Sequence, residues 1–186
     1  MTNQKLPVGI WTIDAGHSHV EFAVRHMMIA TVKGRFAEVA GTVRIPDSGG
    51  SPEVDVRIAS ASIDTRQEQR DAHLRSPDFF HAERYPEIRF VSTRAERKGR
   101  GWAVEGDLTM RGVTRPVALD VVEQGSGRDP WGNERLGVTA IGRLDRRDWG
   151  LTWNQALETG GILVSDEVKI TIEAELVRQA EAAQAA

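Results

Sequence analysis

The chain of 186 residues contains no cysteine. That excludes a disulfide framework, a thiol nucleophile and any cysteine-ligated metal site. Aromatics are scarce, with five Phe and one Tyr, so a buried interior must be filled mainly by Val, Ile and Leu. No window approaches the ~18 apolar residues of a membrane span. Neither sign of charge dominates: 24 basic against 27 acidic residues leave a net −3 with no basic arm, which argues against nucleic-acid binding. The densest basic cluster, Arg94 to Arg100, includes Glu96 and has the look of a solvated hairpin end. The first fifteen residues, MTNQKLPVGIWTIDA, lack the unbroken apolar run of a signal peptide, so a cytoplasmic location is expected. G-x-S-x-G, H-E-x-x-H, P-loop and dinucleotide fingerprints are all missing.

What the chain has instead is period-2 alternation almost from end to end. Val20, Phe22 and Val24 share one face, with Glu21, Ala23 and Arg25 opposite. The pattern returns at Val39, Gly41, Val43 and Ile45; at Val54, Val56 and Ile58; and at Ile88 and Phe90. It continues through Trp102, Val104, Leu108 and Met110, then Val117, Leu119 and Val121. Leu136, Val138 and Ala140, followed by Val168, Ile170 and Ile172, complete it. Turn chemistry at Gly99 to Gly101, Arg111 to Thr114 and Gly125 to Asn133 joins neighbouring strands as antiparallel hairpins. Phe36 is out of phase with Val39, which predicts a bulge near Ala37.

About eight strands with one apolar face each can stack as two sheets or close into a barrel without edges. The run from Val32 to Ile45 would extend roughly 45 Å at about 3.3 Å per residue, long for a sandwich, so a barrel is expected. Its interior has room for side chains or for one apolar ligand. A dry cavity of a few hundred Å3 costs several kcal/mol at ~24 cal/mol per Å3. A bound hydrocarbon removes that cost and adds about 0.8 kcal/mol per buried methylene. Periodicity alone leaves the packed and the ligand-filled interior both open.

The alternation stops once, between Ile63 and Phe90. Thr65 and Glu68 stand at capping-box spacing, which predicts a helix from Arg66. Ser76 and Pro77 predict a second short helix, ended before Pro86. This insertion is dense in Arg, Asp and His, yet Arg70-Asp71 suits a structural clamp, and Phe79 and Phe80 give the segment something to bury. His73 and His81 take surface or hydrogen-bonded structural roles. His17 and His19, with Glu21 two residues on, form an H-x-H pattern that would place three ligands on one side of a strand as half a metal site. Their parity, opposite Val20, turns them to solvent instead. Ser18 lies between these histidines, but strand neighbours point to opposite faces, so neither serves as its base. His26 belongs at the barrel mouth or caps the turn beginning at Met27. Trp149 and Trp153 cap one barrel end or fill the core beneath a loop.

Taken together these residues resemble the YceI-like family, polyisoprenoid-binding proteins of lipocalin-like fold. The resemblance spans Trp11 to about Leu176. It rests on Asp14 with His17-Ser18, Phe22 and His26; on Gly34, Phe36 and Gly41; and on Ser62, Thr65, Arg70-Asp71, His73-Leu74, Phe79-Phe80 and Tyr85-Pro86. Gly106 to Thr109, Gly112 to Thr114 with Pro116-Val117, and Arg147-Asp148-Trp149-Gly150 extend it. It implies an extended antiparallel barrel of about eight strands with short helices inserted near residues 66–84. It also implies an apolar tunnel for an isoprenoid chain, such as a quinone tail or polyprenyl lipid, and a homodimer. The family's best-known members are exported, and this chain differs in lacking a signal-peptide pattern.

The expectation is therefore an all-β, lipocalin-like domain over residues 1–178 with a frayed tail at 179–186, acting as a non-enzymatic carrier without cofactor or metal. Val20, Phe22, Val24, Val56, Ile58, Phe90, Leu108, Leu119 and Val138 would line the tunnel by strand parity. His26, Arg70 and Trp149 would meet the polar head at the mouth. The alternatives are a metal-dependent enzyme using His17, His19 and Glu21, and a solidly packed structural or stress protein acting through its dimer surface.

Overall fold

A computed structural model describes residues 7–47, 50–158 and 160–180. The strands are β1 (Gly9–Ile13), β2 (His19–His26), β3 (Ala30–Phe36), β4 (Val39–Ile45), β5 (Glu53–Ala59) and β6 (Ile63–Asp64). After helix α1 (Glu68–Arg75) come β7 (Glu87–Lys98), β8 (Gly101–Met110), β9 (Val113–Arg128), β10 (Glu134–Asp145) and β11 (Val164–Arg178). They form a closed eight-stranded antiparallel barrel. Pairing runs β1-β4-β5-β7-β8-β9-β10-β11-β2-β3-β6, and β1 also pairs with β11 to shut the ring. The count reconciles because β1 and β2 lie end to end along β11, at Leu176–Arg178 and Val164–Glu173 respectively. Likewise β3 pairs with β2 while its continuation β4 pairs with β1 and β5. The Ala37 irregularity is thus not a bulge within one strand. It is a bend that divides the long Val32–Ile45 run into two strands with different partners.

The break between β1 and β2 is made by side chains. Asp14 Oδ1 accepts from Gly16 N at 3.0 Å and starts a single 3-10 turn, Ala15–His17. Ser18, 7 % exposed, then accepts from Glu175 N at 3.0 Å and donates to Glu175 O at 3.4 Å. Its hydroxyl replaces the ladder bonds that the interrupted backbone cannot make.

Between β5 and β7 the insertion packs at one end of the barrel. Its start differs from the capping-box expectation. Arg66 takes a left-handed φ of 61° after an Asp64 turn, the helix begins at Glu68, and Gln67 caps it by accepting from Arg70 N. Thr65 is committed elsewhere. It donates its hydroxyl to Asp71 Oδ1 at 2.5 Å and its N–H to the same oxygen at 2.9 Å. Arg70 reaches Thr65 Oγ1 at 2.7 Å and Thr65 O at 2.9 Å. Arg70 and Asp71 therefore both grip Thr65 at the end of β6, pinning the helix to the strand paired with β3. The second helix is absent; residues 77–84 are successive turns, with Phe79 buried beneath them.

Two other boundaries move. Gly125–Arg128 belongs to β9 rather than to a turn, with a bulge opposite Gly137/Val138. Gln179, expected to fray, donates its N–H to Ile10 O at 2.8 Å and its side chain to Thr12 Oγ1 at 2.7 Å. The rest of the expected tail, 181–186, lies outside the described residues. Among the described residues no helix is long and apolar enough to cross a membrane.

Candidate functional site

Inside the barrel lies a cavity of about 660 Å3. It runs from Trp102, Glu123 and Leu136 at one end to His26, Gln69 and Trp153 at the other. Along β11 its wall includes Val164, Val168, Ile170, Ile172, Ala174 and Leu176. Twelve residue steps at ~3.3 Å, on strands tilted by about 40°, make the interior about 30 Å long. The inward positions of each strand supply this wall, as the alternation requires.

Val20, Phe22, Val24, His26, Val56, Ile58, Arg70, Phe90, Leu108, Leu119 and Val138 all face the cavity. Trp149 does not. It is 2 % exposed in the core, with Nε1 donating to Leu108 O at 3.0 Å, so its polar edge is unavailable to a head group. Glycines on the inward face widen the bore. Gly34 pairs with Phe22, whose ring lies across it; a Cβ there would sit 2.4 Å from Phe22 Cζ.

The two ends differ. At one, Trp11, Ile45, Leu136 and Leu176 form a buried plug. Beside it, Trp102 Nε1 donates to Glu123 Oε1 at 2.9 Å, and Arg97 binds the same oxygen while stacking 5.0 Å over the indole. Arg97, expected on a solvated hairpin end, is half-buried in this set. At the other end Gln67, Gln69 and Arg70 are exposed wall residues, and they mark where the cavity meets solvent. There His73 meets Trp153 edge to face and Phe79 packs against it at a tilt, with centroids 4.7 and 5.3 Å away.

A buried arginine holds the loop over this mouth. Arg146, 4 % exposed, donates to Ser165 O (3.0 Å), Leu151 O (2.6 Å), Trp153 O (2.9 Å), Val164 O (3.4 Å) and Asp166 Oδ1 (3.2 Å). Burial lowers its pKa below the usual arginine value, with the Asp166 charge opposing. Sequence reading marked the neighbouring Arg147-Asp148-Trp149-Gly150 and missed Arg146, because nothing local distinguishes a buried arginine from its exposed neighbour.

The two histidines of the H-x-H pattern sit on different elements and have different carboxylate neighbours. His17 sits on the 3-10 turn with Nδ1 3.0 Å from Asp14 Oδ2. His19, on β2, lies 3.8 Å from Glu21 and 3.6 Å from Glu173. Asp14, His17 and Glu175 do bring their ligand atoms within 4.8 Å of one another. Arg135 already occupies that cluster, reaching Asp14 Oδ2 at 2.8 Å and also Glu175 Oε1. A guanidinium stands where a cation would. Its hydrogen bond, followed by that of His17, lowers the Asp14 pKa to about 2.

A closed barrel enclosing a long apolar cavity with one polar mouth defines a protein built to hold an apolar small molecule. The YceI-like domain profile matches residues 11–176, and the chain belongs to that family. It is 38 % identical over 138 residues to a UPF0312 protein of Photorhabdus laumondii, covering 74 % of this chain and 72 % of the relative. A UPF0312 protein of Staphylococcus aureus is 35 % identical over 167 residues, covering 89 % and 95 %. Among solved structures, the Campylobacter jejuni YCEI protein matches with a TM-score of 0.71 at 28 % identity, over 84 % of this chain and 90 % of that one. A polyisoprenoid binding domain from Saccharophagus degradans shares the fold, with a TM-score of 0.65 at 16 % identity, covering 93 % and 100 %.

Proposed function

We propose that this protein is a non-enzymatic carrier or sequestering protein for a long-chain isoprenoid, a polyprenyl lipid or isoprenoid quinone, or a similar amphiphile. The single observation that carries the reading is the continuous apolar cavity of about 660 Å3. Left dry, such a volume would cost on the order of 15 kcal/mol at ~24 cal/mol per Å3, as much as a domain's whole stability. Water is a poor filling, since each buried water needs about three polar partners and the middle of the bore is walled by Phe22, Val56, Phe90, Leu119 and Ile172. A hydrocarbon chain needs none. Each methylene it buries contributes about 0.8 kcal/mol.

In this reading the chain of the ligand lies along Val20, Phe22, Val24, Val56, Ile58, Phe90, Leu108, Leu119 and Val138. Its head rests at the mouth near His26 and Arg70. Arg70 spends Nε and Nη2 on Thr65, which orients the guanidinium at the rim. What the resemblance to the YceI-like family implies, together with the polyisoprenoid binding domain of like fold, supports an isoprenoid over other lipids. Catalysis has little to work with: the Ser18 hydroxyl is spent on the backbone of Glu175. The family resemblance brings a homodimer into the same reading.

Native mass spectrometry of the protein as purified, with organic extraction of what co-purifies, tests this. A lipid-sized adduct with repeating isoprene mass is expected on each subunit of a dimer. Bare protein that also takes up no added polyprenol would overturn the reading.

A further inference from the structure

We infer that the β2–β3 hairpin tip is a docking element that sets the cavity mouth on an anionic lipid bilayer. The inference rests on the carrier reading and adds where the ligand is exchanged. Met27, Met28 and Ile29 are 40 %, 60 % and 76 % exposed, three consecutive large apolar side chains at one hairpin tip. Met27 and Met28 both take left-handed φ values, 51° and 61°. Gly, Asn or Asp adopt that conformation at less cost, so neither local geometry nor solvation favours methionine here.

The tip is part of the rim. His26, directly before it, and Val32, shortly after it, line the cavity. Met27 N donates to Leu163 O at 2.8 Å, and Leu163 is another wall residue, following Ile162 at 36 % exposed. A surface resting on Met27–Ile29 would therefore meet the cavity opening.

Charge identifies that surface. Behind the tip, on the outer face, Ala23 is flanked across the ladder by Lys33 on β3 and Lys169 on β11, both exposed. Arg25, also exposed, donates to Met28 O at 2.8 Å. On that face Glu167, two residues before Lys169, is engaged by Arg143. Glu21 lies one row further back, opposite Arg35. Lys33 follows Ile29 by four residues, about 13 Å along a strand. Apolar side chains that sink ~5–10 Å past the head groups would leave these cations level with lipid phosphates. An apolar tip with a basic collar is complementary to an anionic bilayer.

The test uses the full chain, with co-sedimentation on vesicles of phosphatidylcholine alone or mixed with phosphatidylglycerol. A second assay follows uptake of fluorescent geranylgeraniol, delivered either from ethanol or from those vesicles. The wild type is expected to bind mixed vesicles more tightly. The triple variant Met27→Asn, Met28→Asn, Ile29→Ser suits the turn and should fold. It should lose about tenfold or more in vesicle binding and in uptake from vesicles, with uptake from ethanol unchanged. Lys33→Gln and Lys169→Gln should each cost about fivefold on mixed vesicles only. Wild-type protein that takes up the probe from ethanol yet ignores both vesicles overturns the docking inference and leaves the carrier reading standing. Vesicle binding without uptake from either source does the reverse. If the triple variant instead turns a dimer into a monomer and wild type does not bind vesicles, the tip's partner is a second copy of this chain and the inference is wrong.

Discussion

The two ends of the barrel are built by different means. The closed end is made from strands alone. Trp11, Ile45, Leu136 and Leu176 are the inward residues of β1, β4, β10 and β11, and the ladder of β1 with both β4 and β11 brings them together. The open end is made largely from segments that are not regular strand: the 3-10 turn at Arg146–Trp149, the residues leading to Val164, helix α1 and its turns, and the β2–β3 tip. There side-chain hydrogen bonds do the holding, Arg146 to the carbonyls of the loop and Asp71 to Thr65. A barrel needs one end sealed by packing if an apolar ligand is to stay dry. The other end must be held by bonds that leave a gap.

That contrast can be broken from either side. The largest effect should come from Trp11→Ala, which removes a fully buried indole from the plug. About 4 kcal/mol of stability should go, read as a lower urea midpoint at unchanged slope. Arg146→Met should cost about 3 kcal/mol, since several buried carbonyls lose their donor. Its diagnostic is local: hydrogen exchange should quicken over 151–158 and 160–164 while β1 and β4 keep their protection. Equal quickening at both ends would refute the division.

Gly34→Ala probes the bore between the ends. The new methyl would press on Phe22 and on Thr65 Cγ2, 2.7 Å away. Overpacking should cost about 1–3 kcal/mol and push the ring into the tunnel, so uptake of a fluorescent polyprenol should fall more than stability alone explains. The smallest effect is electrostatic. Asp14 has its pKa lowered from 3.8 to about 2, first by the Arg135 hydrogen bond and then by that of His17. A depressed carboxylate stabilises the fold above its unfolded pKa, so the contribution is complete above about pH 4 and is lost between about pH 4 and 2. Asp14→Asn should flatten the stability profile in that window and leave it unchanged in shape near neutrality.

Much of the barrel was legible because strand parity is a local property. Val20, Phe22 and Val24 face inward since each residue's side is set by its neighbours, and one face had to be apolar. The insertion was legible as an interruption, but its details were not. Thr65 at capping-box spacing looked like a helix cap; it is instead the knot that Arg70 and Asp71 both tie, because β6 pairs with β3 and presents it to them. His17 and His19 looked like a ligand pair because the 3-10 turn between β1 and β2 leaves no period-2 signature. Trp149 was equally readable as rim or core from its surroundings in sequence.

Sequence by itself determined that this chain is a barrel with an apolar interior, since alternation sets which side chains face inward and one face of each strand is apolar. All five Phe line the cavity, however, and give the bore more rings than their number suggests. Only the tertiary structure decided that the interior is a cavity open at one end. Whether facing Val and Leu side chains meet or leave a gap depends on bore and tilt, which arise from the closure of all eight strands together. Which end opens depends on contacts such as those of Arg146 to Val164 and Ser165, 18 and 19 residues away, between groups that no local pattern relates.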